Sequence, residues 1–161
     1  MNDEVIGIVS ASMGRRVLGI TSLALLGAML IYVCFTQPPA ILGQFFLFLT
    51  GTAALWMAEK MRRATSTVIE MTATELRDSS GDLICLIEDI DGIDRGFFAF
   101  KPSNGFLLKT KSPGSRIWRP GLWWRAGRRI GIGGMTPGNQ TKFMSEILAA
   151  TIAHRDLQPP H

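Results

Sequence analysis

Four groups of residues in this chain have types and spacings that invite a chemical reading. Glu88, Asp89, Asp91 and Asp94 place four carboxylates within seven residues, a density that would suit a hard cation. A calcium loop also needs a glycine at its sixth position and a closing glutamate at its twelfth. Gly92 falls too early and no such glutamate follows, so the run reads as a turn or an acidic face. Gly131-Ile132-Gly133-Gly134 lacks the lysine and hydroxyl residue of a phosphate loop and the spacing of a dinucleotide fingerprint, and it reads as a strand-ending turn. His154 and His161 sit near the end with no third ligand, and no serine or cysteine has a triad partner nearby. No catalytic, cofactor or metal site is expected.

The fourth group is the basic, tryptophan-rich stretch 116–129, with Arg116, Trp118, Arg119, Trp123, Trp124, Arg125, Arg128 and Arg129. Indoles rest at headgroup depth and guanidinium groups bind phosphate, so the stretch suits anionic lipids or a partner, with Lys109 and Lys111 extending the patch. In the competing reading the tryptophans are core and the arginines form a solvated face that neutralises the acidic half of the domain. Trp123 and Trp124 alternate across a strand, which sends at least one of them inward. No nucleic-acid motif accompanies the charge, so nucleic acid is an unlikely partner.

These residues must be positioned by what precedes them. Residues 17–35 and 40–58 are two uncharged runs of nineteen, each about 28 Å long as a helix against a hydrocarbon core of about 30 Å. Thr36-Gln37-Pro38-Pro39 joins them and cannot continue a helix, which predicts an antiparallel transmembrane hairpin. Arg15 and Arg16 flank one end, Lys60, Arg62 and Arg63 the other, and the connector is uncharged. The positive-inside rule then puts both termini in the cytoplasm. Gly27 and Ala28 in one helix and Gly43 and Gly51 in the other are small enough to let the helices pack closely. Gln44 is the one amide within the spans, and it either finds a partner there or reaches the headgroups.

The remainder is long enough for one small domain. Its charge is segregated, with two basic against eight acidic residues over 64–100 and eight basic against none over 101–134. Short apolar runs separated by turn residues predict strands over 68–71, 75–77, 83–87, 95–100, 106–111, 117–118, 122–125 and 128–132, with a turn at Ser112-Pro113-Gly114-Ser115. Phe143, Met144, Ile147, Leu148 and Ile152 fall on one face of a C-terminal helix, whose start lies at Thr136-Pro137 or Thr141. The expected organisation is an N-terminal segment 1–14 lying on the bilayer or frayed, a hairpin 15–63, a linker 64–67, a mainly-β domain 68–156 and a tail 157–161.

Two spans, about seven short strands and one amphipathic helix, with Met71-Thr72-Ala73-Thr74-Glu75-Leu76-Arg77 looking like the opening hairpin, resemble the bacterial membrane-anchored PH-like domain family. The resemblance implies a partly open β-sandwich closed by a helix, carried on the cytoplasmic side of the inner membrane. The function expected on this basis is that of a non-catalytic accessory subunit or assembly factor of a larger membrane protein complex. The alternative is a module that binds or senses anionic lipids.

Overall fold

The computed structural model describes residues 4–94 and 102–157; the strand expected over 95–100 and the tail 158–161 lie outside them. Two helices, α1 (Met13–Thr36) and α2 (Ile41–Ala64), form the expected antiparallel hairpin. Both are long and apolar enough to cross a membrane, and only 11% of the residues in the most apolar window of each are buried. The core helix of a soluble domain would be covered; these leave Leu25, Met29, Phe45, Phe46 and Leu49 exposed along their length.

The helices meet at two glycines. A Cβ on Gly27 would come within 2.8 Å of the Gly51 carbonyl, and one on Gly51 within 3.0 Å of the Gly27 carbonyl, so here backbone packs on backbone. The other two expected packing residues do something else. Gly43 lies against Pro39 of the connector rather than against α1. Ala28 is exposed, because the crossing uses the neighbouring face of α1 on which Gly27 lies. Gln44 is satisfied within the hairpin, donating to the Cys34 carbonyl (3.3 Å) while the Cys34 thiol lies 3.5 Å from the Gln44 carbonyl.

Part of the N-terminal segment is neither a surface turn nor frayed chain but a strand of the β domain. Gly7–Ser10 forms strand β1 and pairs antiparallel with β2 (Val68–Met71), Gly7 opposite Met71 and Ser10 opposite Val68. The helical hairpin is therefore inserted between two adjacent strands of one sheet, and the β domain begins before the first helix rather than at residue 68. Isolated β propensity over four residues could not show this, since the partner strand lies on the far side of the hairpin.

Strands β3 (Glu75–Asp78) and β4 (Leu83–Leu86) complete a four-stranded antiparallel sheet in the order β1-β2-β3-β4. A second sheet has the order β5-β6-β7, formed by Ile90–Asp94, Phe106–Arg119 and Trp123–Ile132. The turn expected at residues 112–115 is instead part of β6. The register slips on either side of Gly114, and Gly127 opposite it has φ +61°, which bends the ribbon without ending it. The bend is tight enough that the Gly133 amide donates to the Leu122 carbonyl at 2.9 Å, bringing the two ends of β7 together.

Helix α3 (Gly138–Leu157) starts just after Thr136-Pro137 and packs on β1, β5 and β6. Met144 and Leu148 enter a core with Val9, Ile69, Leu76, Ile84, Ile90, Leu108, Leu122 and Ile130, and Ile147 and Ile152 pack at its margin. Phe143, expected on the same face, is exposed.

Candidate membrane-interface site

The β domain is joined to the base of the hairpin by more than its two connecting strands. The Ser12 amide donates to the Met135 carbonyl at 2.7 Å, and the Met135 amide donates to the Gly121 carbonyl at 2.9 Å. The Met135 side chain lies on the bare Cα of Gly19 and near Met61, so it fills the cleft between the two helices. Arg15 reaches the Thr136 carbonyl at 3.5 Å. The β6–β7 turn at residues 120–122 lies against Thr65 at the end of α2.

This docking sorts the basic tryptophan stretch into three places. At the hairpin base is Trp118, 47% exposed, on the strand end that leads into the turn. Lys60 of α2 lies between its ring and that of Trp56, with Nζ 4.7 Å from the Trp56 centroid and 4.8 Å from that of Trp118. Trp56 is 58% exposed on the outer face of α2. The sequence reading missed both Trp56 and Lys60 as members of this site. A tryptophan and a lysine four residues apart on a helix share a face, but nothing local shows that Trp118 joins them.

In the interior, Trp123 is buried and donates its indole N–H to Asp78 Oδ2 at 3.0 Å. It is removed from any contact surface. Asp78 also accepts from Thr67 Oγ1 (3.2 Å) and from the Ser80 amide (3.0 Å), so one buried carboxylate ties the α2–β2 linker, the β3–β4 turn and β7 together. Trp124 is half-buried, its indole lying across Gly131 beyond the bend. Arg125 passes over Gly114 and donates to the Ile84 carbonyl at 2.7 Å, bridging β7 to the outer edge of β4. Arg119 pairs with Asp82.

Arg116, Arg128 and Arg129 remain exposed. Arg128 and Arg129 follow the bend at Gly127, away from the β6–β7 turn, and line a surface hollow with Asp91, Asp94 and Lys109. The eight residues named from the sequence therefore do not form one surface. The charge segregation is also resolved in three dimensions. Strand β5 lies beside β6, where Lys109 pairs with Asp91 (3.2 Å), Lys111 donates to the Glu88 carbonyl (2.9 Å) and the Ser112 amide donates to Asp89 (3.0 Å). Among the described residues, no cluster of His, Cys, Asp or Glu is placed to hold a metal.

Cys34 and Cys85 are both free and buried. Burial pushes the Cys85 thiol up to about 12, outweighing the nearby Arg125 charge, with Asp89 adding to the rise. A thiol held that high stays protonated through the pH range in which an ordinary cysteine becomes reactive. Iodoacetamide at pH 8.5 is expected to label Cys85 at least about tenfold more slowly in the folded chain than after denaturation, as read by peptide mass spectrometry.

The fold and site together define a class: an apolar helical hairpin inserted into one sheet of a two-sheet β domain, with an aromatic and cationic face at its base. No family model, curated protein or solved structure matches the chain.

Proposed function

We propose that this chain is a non-catalytic accessory subunit or assembly factor of a membrane protein complex, presenting a PH-like domain on the cytoplasmic face of a bacterial inner membrane. The observation that carries the reading is the way the domain is rooted. Both ends of the hairpin enter adjacent strands of one sheet, and Met135 fills the cleft at its base. A domain so fixed cannot swing on a linker, so it presents its surfaces at a set height and angle to whatever lies beside it in the bilayer. Four antiparallel strands, then three, then a helix closing the core support the PH-like assignment. Arg15, Arg16, Lys60, Arg62 and Arg63 all lie at the domain end of the hairpin, which supports the cytoplasmic orientation.

The test is purification of a tagged chain at native expression in mild detergent, followed by mass spectrometry. Stable membrane-protein partners in fixed proportion are expected. A chain that always comes alone would overturn the proposal. The second reading, anionic-lipid recognition, is favoured by one specific observation: Trp118, a residue of the β domain, is exposed beside Lys60 and Trp56 at the end of the apolar helix.

A further inference from the structure

We infer that Lys60, held between the Trp56 and Trp118 rings, is a binding point for the phosphate of an anionic lipid headgroup. The inference rests on the second reading above and on the hairpin spanning a bilayer. Lys60 stands two residues beyond the uncharged run that ends at residue 58, and one helical residue advances about 1.5 Å. Its ammonium is therefore at headgroup depth. Trp56 is at the level where indoles concentrate in membrane proteins, and Trp118 is brought to the same level by the β6–β7 turn.

The electrostatics single out this cation among its neighbours. Arg62 and Arg63 both bond to Glu59, at 2.7 Å and 2.6 Å, so one carboxylate answers that pair. Among the described residues, no carboxylate lies within ion-pair distance of Lys60. Two ring faces hold its ammonium by cation–π attraction without neutralising it. An ammonium carries three donors, and two flanking rings leave an N–H direction open for a phosphate oxygen. Exposed Arg116, two residues before Trp118 in β6, adds positive potential. The rings also fit a lipid better than a free anion, since their exposed edges need an apolar phase that soluble phosphate does not bring.

The full chain in nanodiscs of phosphatidylcholine, with and without phosphatidylglycerol, tests this. After transfer to detergent, native mass spectrometry of the wild type is expected to show retained phosphatidylglycerol in preference to phosphatidylcholine. Lys60→Gln is expected to cut that retention about fivefold, Lys60→Arg to preserve it, and Trp118→Leu to weaken it, all with unchanged far-UV circular dichroism and thermal unfolding. Headgroup-proximal brominated lipid should quench less fluorescence in Trp118→Leu than in the wild type.

Wild-type preference for phosphatidylglycerol that survives both Lys60→Gln and Trp118→Leu would overturn the site while leaving lipid recognition standing elsewhere. No preference in the wild type would overturn both. Displacement of the lipid by millimolar inorganic phosphate would show an anion site that is not specific to membranes. Loss of co-purifying proteins from Lys60→Gln, with lipid unchanged, would give this face to a protein partner instead.

Discussion

Replacing Asp78 with alanine is expected to destabilise the β domain by about 3–5 kcal/mol, because the change strands a buried indole N–H and removes several charge-assisted bonds at once. Asp78 is fully buried and accepts from Trp123, Thr67 and the Ser80 amide. A hydrogen bond to a charged group contributes about 1.5–3 kcal/mol, and bonds sharing one acceptor do not add fully. For a domain of this size such a loss corresponds to a fall in melting temperature on the order of 15 °C. Asp78→Asn keeps an acceptor for the Trp123 N–H and should cost about half as much. Trp123→Phe, which removes the donor while keeping most of the ring, should fall between wild type and Asp78→Ala. Thermal unfolding followed by near-UV circular dichroism measures all three; equal stability of Asp78→Ala and wild type would mean that the network does not hold the sheets together.

The second large effect is expected in the hairpin. Gly51→Leu should destabilise it by about 2–3 kcal/mol, within the usual cost of forcing extra atoms into a close-packed contact. The atom in the way is the Gly27 carbonyl oxygen, 3.0 Å from where a Cβ would stand, with Ile31 at 2.8 Å. A backbone oxygen cannot rotate aside as a side chain can, so the helices must separate. Gly51→Ala meets the same oxygen, and the clash should exceed the roughly 1 kcal/mol that alanine gains over glycine in helix propensity. Gly27→Leu should resemble Gly51→Leu, and the double variant should cost less than the sum because both relieve one contact. Ala28→Leu, on an exposed position beside Gly27, is the control and should be close to neutral. Denaturant titration in mild detergent, read at a cysteine cross-link across the crossing, gives the order.

These two sites differ in how far the residues alone reveal them. The Gly27 and Gly51 contact was visible in outline, since small residues in uncharged helices of this length mark close approach whatever follows. Which small residues meet was not visible. Ala28 neighbours Gly27 in sequence and still faces outward, because the rotation of each helix about its axis is set by the whole contact. Gly19, another small residue of α1, receives Met135 from the β domain. Asp78 gave no local signal at all: an aspartate before Ser79-Ser80-Gly81 reads as a turn residue, and its indole partner is forty-five positions away.

What the chain determines by itself is whatever depends on local composition and period. Two uncharged stretches around a Pro-Pro connector require a hairpin, and alternating short apolar runs followed by a helical period require strands and then a helix. Flanking arginines distinguish one end of the hairpin from the other. Tertiary structure alone decided that a four-residue strand ahead of the first helix completes the sheet, because its partner is separated from it by the entire hairpin. It also decided that the basic tryptophan stretch is not one surface. A bend at Gly127 carries Arg128 and Arg129 away from the β6–β7 turn, burial takes Trp123 into the core, and docking on the hairpin leaves Trp118 with Lys60 and Trp56. Those outcomes come from contacts between distant segments, whose free energy no window of sequence contains.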